Sequence, residues 1–115
     1  MSGDERARRL AFNESLVREV NEAVVGLAEG WFQADEPVEF RCECVRPDCP
    51  EILQLTVAEY GEVRRAATRF AVAPGHADPS VERVVGEVRG AHVVEKLGAG
   101  RQVAEETDPR GPGAG

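Results

Sequence analysis

All three cysteines of this 115-residue chain, Cys42, Cys44 and Cys49, fall within one eight-residue stretch. Apolar and charged residues alternate over positions 38–43, which is the period of a half-buried strand. In an extended chain Cys42 and Cys44 point to the same side, and the turn predicted over positions 45–48 brings Cys49 back towards them. Because the ligands of one ion must converge in this way, the sequence predicts a metal-binding knuckle over residues 42–49.

Zinc is the metal that fits this predicted knuckle best. Thiolates and imidazole bind Zn²⁺ well, and a closed structural site uses four such ligands in a tetrahedron. His76 follows Pro74-Gly75, a turn-forming pair that can carry its ring to the tip of a hairpin. His92, the other histidine, falls in a predicted strand. We therefore predict a structural zinc site made by Cys42, Cys44, Cys49 and His76.

Other interpretations of the same residues stay open. The cysteines could be free, partly buried side chains that behave as small hydrophobic residues. Cys44 or Cys49 could be a redox-sensitive thiol, since neighbouring arginines favour the thiolate. Asp48 or Asp78 could replace His76 as the fourth ligand, and His76 would then only cap its turn.

The first long segment, residues 4–33, has apolar residues at helical spacing. They form the stripe Leu10, Val17, Val20, Val24, Leu27 and Trp31. We predict a helix that covers a small sheet with this stripe, with Asn13 as its N-cap. The same stripe could instead pair with a copy of itself and form a homodimer.

Short elements follow the knuckle. A strand at residues 52–55 returns from it, and Thr56-Val57-Ala58-Glu59 is a capping box that predicts a helix from Val57 to about Ala66. Three further strands are predicted at residues 70–73, 80–88 and 91–97. The predicted class is α+β, with a long N-terminal helix packed on a small, mostly antiparallel sheet.

The chain is predicted to contain a single domain with irregular ends. Residues 1–12 are expected to be flexible or a frayed helix start, and residues 13–97 to form the domain. Residues 98–115 are rich in Gly, Pro and charge, which is typical of a disordered tail.

The charge balance and the apolar pattern restrict the partners. With 21 acidic and 14 basic residues the formal net charge is −7, which disfavours binding to nucleic-acid phosphates and suits a protein partner. No apolar run is long enough for a signal peptide or a membrane span. An odd number of cysteines fits a secreted disulfide framework poorly, so we expect a cytoplasmic protein.

No set of residues in the sequence predicts catalysis. No Gly-rich phosphate loop follows a strand, no two carboxylates are paired as acid and base, and no nucleophile has an assigned histidine. We predict a small, non-catalytic, zinc-stabilised interaction or regulatory module. The alternatives are a thiol redox sensor that uses Cys44 or Cys49, and a helix-mediated oligomer with incidental cysteines.

Three short motifs together resemble a family of small bacterial proteins without an assigned activity. The motifs are Phe40-x-Cys42-Glu43-Cys44-x4-Cys49, Leu55-Thr56-x-x-Glu59-Tyr60 and Arg69-Phe70-x-Val72-x-Pro74-Gly75-His76. The similarity covers roughly residues 13–97. It implies that the cysteines and the Gly-His pair belong to one pattern, and it supplies no substrate, cofactor or catalytic residue. Glycine usually follows the second cysteine in that family, whereas this chain has Val45.

Overall fold

The computed structural model describes residues 3–111 and shows three helices and five strands in that range. In chain order they are α1 (Gly3–Trp31), β1 (Val38–Arg41), β2 (Ile52–Leu55), α2 (Val57–Val63), β3 (Arg69–Val72), β4 (Glu82–Val88), β5 (Ala91–Lys96) and α3 (Gly100–Glu106). The α+β class and the long N-terminal helix are confirmed. Residues 1, 2 and 112–115 of the predicted flexible ends lie outside the described residues.

The strands form two small antiparallel sheets where one was predicted. β1 pairs with β2, so that Val38 lies opposite Leu55, and the second sheet has the order β3-β5-β4. β4 and β5 are joined by a two-residue turn at Arg89-Gly90, where both φ angles are positive, as a type I′ hairpin requires. The backbone N–H of Glu43 donates to the carbonyl of Ala71 at 2.8 Å. This bond joins the two sheets beside the cysteine-bearing loop.

α1 buries a different face from the predicted one. Val17 is buried, but Val20, Leu27 and Trp31 of the predicted stripe are 48%, 68% and 84% exposed. The buried face consists of Ala7, Ala11, Glu14, Ser15, Val17, Arg18, Asn21, Val25 and Ala28. Small residues let the helix approach its neighbours, and large polar ones reach partners in the core. Arg18, for example, lies over the Phe70 ring at 4.5 Å and donates to the Ala104 carbonyl at 2.8 Å.

The amino-terminal end of α1 is more ordered than predicted. The helix begins at Gly3 and continues through Asn13, so Asn13 is not an N-cap and residues 3–12 are not frayed. Ala7 and Ala11 are buried because they face α3. Within residues 3–111 no helix combines the length and the apolar character needed to cross a bilayer.

The predicted disordered tail contains α3, which packs on α1. A Cβ atom at Gly100 would lie 3.2 Å from the Cβ of Ala11, so the two helices are in close contact at this glycine. Ala104, one helical turn later, is fully buried. The prediction was wrong for residues 100–106 because glycine, which suggested disorder, here permits close backbone packing.

α2 begins at the predicted capping box. The N–H of Glu59 donates to the Thr56 hydroxyl at 3.0 Å, and the Glu59 carboxylate accepts from the Thr56 N–H at 2.8 Å. Leu55 and Tyr60, at the positions of a hydrophobic staple, are fully buried. The Tyr60 ring stacks on Phe40 with the centroids 4.5 Å apart, which fixes α2 against β1.

Candidate metal centre

The structure brings together the four residues that the sequence singled out as metal ligands. The possible ligand atoms of Cys42, Cys44, Cys49 and His76 all lie within 4.8 Å of one another. Nδ1 of His76 is 3.4 Å from Sγ of Cys49 and 3.6 Å from Sγ of Cys42. The three thiols are free and buried, and His76 is half-buried. His76, which is 27 or more positions from each cysteine in the chain, therefore meets them at one point.

Two of the distances between donor atoms are close to those of a tetrahedral zinc site. With Zn–S bonds of about 2.3 Å and Zn–N bonds of about 2.0–2.1 Å, tetrahedral geometry separates a sulfur from a nitrogen by about 3.6 Å. The two measured sulfur–nitrogen distances, 3.4 and 3.6 Å, are close to this value. Three thiolates and one imidazole complete four-coordination without a water molecule. Four protein donors without a water molecule are typical of closed, structural zinc sites.

The first cysteine continues the line of β1. The N–H of Cys42 donates to the Glu51 carbonyl at 3.1 Å, which extends the β1–β2 pairing by one step. The chain then turns, and the N–H of Cys49 donates to the Arg46 carbonyl at 3.1 Å. Arg89 is the one non-glycine residue in the described part of the chain that has a positive φ. Val45 therefore fits this turn without the left-handed conformation that glycine would favour.

A Pro-Gly turn supplies His76. Its N–H donates to the Ala73 carbonyl at 3.0 Å, and Gly75 has a φ of 85°, as the third position of a type II turn requires. The N–H of Ala73 donates to Sγ of Cys42 at 3.2 Å. The residue that starts the turn is thus bonded to the first cysteine. His92 lies in β5 outside the cluster, with Nε2 3.9 Å from a carboxylate oxygen of Glu87.

Glu43, between the first two cysteines, is fully buried and was missed as a functional residue. Its Oε2 accepts from the Tyr60 hydroxyl at 2.6 Å and from Asn21 Nδ2 at 2.9 Å, and its Oε1 accepts from the Ala71 N–H at 2.9 Å. Burial raises the pKa of this carboxyl, and the three hydrogen bonds oppose that change. Glu43 thereby ties the cysteine loop to α1, α2 and β3.

The sequence indicated the side of the strand on which Glu43 lies, but not its hydrogen-bond partners. Alternation along the strand places Glu43 on the side opposite to Cys42 and Cys44. Alternation does not reveal that this side also faces protein. Asn21, on the buried side of α1, is a partner that the apolar stripe could not indicate, because it is polar. It also donates to the Arg41 carbonyl at 2.9 Å.

Burial is the largest influence on the acid–base chemistry of the first two thiols. It raises the pKa of Cys42 and Cys44, and the hydrogen bond from Ala73 partly opposes this at Cys42. Arg41 donates to the Cys49 carbonyl at 3.3 Å, and Arg46 lies 3.8 Å from Asp48. Neither guanidinium has a hydrogen bond to a sulfur within residues 3–111. A divalent cation would supply the positive charge that buried thiolates need.

The two alternative oxygen ligands lie outside the cluster of close donor atoms. Asp48 is exposed and faces Arg46. Asp78 accepts from the Ser80 hydroxyl at 2.6 Å and is 3.5 Å from the Arg6 guanidinium. These hydrogen bonds and the arginine lower the pKa of Asp78, so its carboxylate already has partners. His76 is the donor that the fold presents to the three sulfurs.

Comparison with known proteins adds no homologue to this picture. No protein-family model, curated protein or solved structure matches the chain. The resemblance to small bacterial proteins therefore stays a prediction. The functional interpretation depends on the Cys₃His cluster, whose geometry is compatible with a metal-binding module.

Proposed function

We propose that this chain is a small, non-catalytic module that binds one structural zinc ion and acts by contacting a protein partner. Cys42, Cys44, Cys49 and His76 are the proposed ligands. The observation that carries the proposal is that their donor atoms, drawn from two separate loops, lie within 4.8 Å of one another.

A zinc ion at this point would connect the two sheets. Cys42, Cys44 and Cys49 belong to the connection between β1 and β2, and His76 belongs to the connection between β3 and β4. Both connections lack helix and strand, so ordering them costs conformational entropy. Metal binding that accompanies folding can offset this cost, as it does in other small zinc domains.

The closed coordination set supports interaction more than catalysis. A catalytic zinc ion usually has three protein ligands and keeps one position for water or substrate, whereas four protein donors converge here. The excess of acidic over basic residues supports a protein partner over a nucleic acid, because phosphates repel a chain of this charge. An open cleft of about 420 Å³ beside Cys44 and His76 gives the centre a surface that a partner could contact.

Metal analysis of the chain purified without added zinc tests the proposal. We expect about one zinc ion per chain by mass spectrometry of the acid-digested protein. We also expect a chelator to lower the midpoint of thermal unfolding. His76→Ala should weaken zinc binding by more than the roughly 10- to 100-fold loss that follows removal of a supporting residue. His92→Ala is the matched control, because His92 lies outside the cluster and should leave the zinc content unchanged.

The same preparation distinguishes the redox alternative. A metal-free chain that stays folded in chelator, with Cys44 or Cys49 readily oxidised to a disulfide or sulfenic acid, would contradict the zinc proposal. Replacement of zinc by cobalt gives a further measurement, since the visible absorption of Co²⁺ reports its coordination number. A spectrum that shows five-coordination or an exchangeable water would restore catalysis as a candidate function.

A further inference from the structure

The side of α1 that faces away from the core is apolar over its last five turns. At 100° per residue, six exposed positions fall within an arc of about 100°, roughly opposite the buried face. We call them the α1 outer face: Phe12, Leu16, Val20, Ala23, Leu27 and Trp31. Successive members are three or four residues apart, and the four from Leu16 to Leu27 have the alternation of a seam between paired helices. A solvent-exposed helix face normally carries polar residues at these positions.

The area of this face is close to what one partner contributes to a stable dimer. Trp31 is 84% exposed, Leu27 68%, and Phe12, Val20 and Leu16 between 44% and 49%. Since a large aromatic side chain has about 150–250 Å² of surface, the α1 outer face exposes on the order of 600 Å² of apolar area. A standard protein interface buries about 800 Å² per partner. The largest apolar patch on a typical monomer has about 300–600 Å², so the α1 outer face is at the upper end of that range.

The order of the side chains along the outer face is self-complementary in one arrangement. If two copies of α1 run antiparallel and cross between positions 21 and 22, Phe12 faces Trp31 of the second copy. In the same register Leu16 faces Leu27, and Val20 faces Ala23. Each contact occurs twice because the arrangement has a two-fold axis. Large aromatic residues then cover both ends of the interface, and small residues allow close approach at its centre.

The charges at the two ends of the outer face also match in this arrangement. Arg8 and Arg9 precede the face, and Asp35 and Glu36 lie in the turn that follows α1. Antiparallel copies place the arginines of one chain beside the acidic turn and the negative helix terminus of the other. Neither Arg9 nor Asp35 has an ion-pair partner in the part of the chain that the structure describes. A parallel pair would instead set like charges side by side.

We propose that two copies of this chain form a symmetric dimer through the α1 outer face, with the helices antiparallel. The dimer leaves the metal centre free, because the outer face lies on the opposite side of α1 from Asn21, which contacts the cysteine loop. The proposal is independent of zinc binding, and its failure would leave the proposed zinc function untouched.

Sedimentation equilibrium of the full chain tests the dimer. We expect a dimer whose dissociation constant rises at least about 30-fold in Leu27→Glu, because the substitution buries a charge against Leu16 on each side of the two-fold axis. Leu16→Glu is a second variant at the same interface. Ile52→Glu is the matched control, because Ile52 is also exposed (47%) but lies on β2, and the dimer should persist. Far-UV circular dichroism and zinc content should be unchanged in all three variants.

A charge exchange tests the antiparallel arrangement. Arg9→Glu and Asp35→Arg should each weaken the dimer several-fold, and the double variant should regain wild-type affinity. A double variant weaker than both single variants would overturn the antiparallel arrangement. A chain that stays monomeric at about 100 µM, roughly 100-fold above a micromolar dissociation constant, would overturn the dimer. Binding of the monomer to phosphatidylglycerol vesicles, or a dimer unaffected by Leu27→Glu, would also overturn it.

Discussion

Glu43→Gln tests whether a buried carboxylate holds the cysteine loop in position. The wild-type side chain accepts hydrogen bonds from Asn21, Tyr60 and the Ala71 backbone, and it is fully buried. Glutamine has nearly the same shape but one acceptor oxygen and one NH₂ group. The substitution therefore changes the hydrogen-bond pattern and the charge while it leaves the packing almost intact.

The expected loss of stability follows from the three partners. The amide oxygen can still accept from the Ala71 N–H, but its NH₂ group then faces the NH₂ group of Asn21. A buried donor without an acceptor costs about 1–3 kcal/mol. The Tyr60 hydroxyl can rotate and accept from the new amide, at a loss of about 1 kcal/mol because a charge-assisted bond becomes a neutral one. Removal of a buried charge offsets part of this, so we expect unfolding free energy to fall by about 2 kcal/mol.

Urea unfolding at a fixed free zinc concentration measures this loss, and competition with a chromophoric chelator measures zinc affinity. Because Glu43 fixes the backbone between two proposed ligands, we expect the zinc dissociation constant to rise about 10-fold. Glu39→Gln is the control, since Glu39 lies four residues earlier in β1, is exposed and has one 3.3 Å hydrogen bond from Gln54. If Glu43→Gln changed neither quantity more than Glu39→Gln does, the proposed positioning role would be refuted.

Three further predictions concern the rest of the fold. Burial and a hydrogen bond with Glu82 raise the pKa of Glu14, although Lys96, whose Nζ lies 2.6 Å from Oε1 of Glu14, opposes this change. The folded chain therefore holds this proton to a higher pH than the unfolded chain, so stability falls as pH rises from the unfolded to the folded pKa, and Glu14→Gln should reduce this slope in urea unfolding. Gly100→Ala should lower the free energy of unfolding by about 1–3 kcal/mol, because the added methyl group crowds α1. Gly61→Ala, which has open space around it, should raise the free energy of unfolding by up to about 1 kcal/mol in the same assay. Thr56→Ala should cost about 1 kcal/mol through loss of the N-cap, and a thermal midpoint equal to wild type would contradict this.

Features that depend on neighbouring residues were readable from the sequence. The capping box at Thr56 fixed the start of α2, because both of its hydrogen bonds join residues three positions apart. Alternation gave β1, and Pro74-Gly75 gave the turn before His76. These patterns act within one or two turns of chain, where local geometry determines the structure. They also placed the four donor residues on a hairpin tip and a turn, although not the distances between them.

Features that depend on distant contacts were decided by the tertiary structure. The buried face of α1 is the clearest case. Apolar spacing predicted the wrong face, because Arg18 and Asn21 form hydrogen bonds in the core that offset the desolvation cost of burying them. The close packing at Gly100 and the burial of Glu43 likewise depend on contacts with residues that are distant in the chain.

The sequence by itself determined the set of three thiols and one imidazole, the turns that carry them, and the sum of apolar surface on α1. Only the tertiary structure decided that the four donors converge and that much of this apolar surface stays uncovered. The physical reason is that a side chain's surroundings are set by segments far away in the chain. A polar residue with buried partners can displace an apolar one from the core, and no local pattern records those partners.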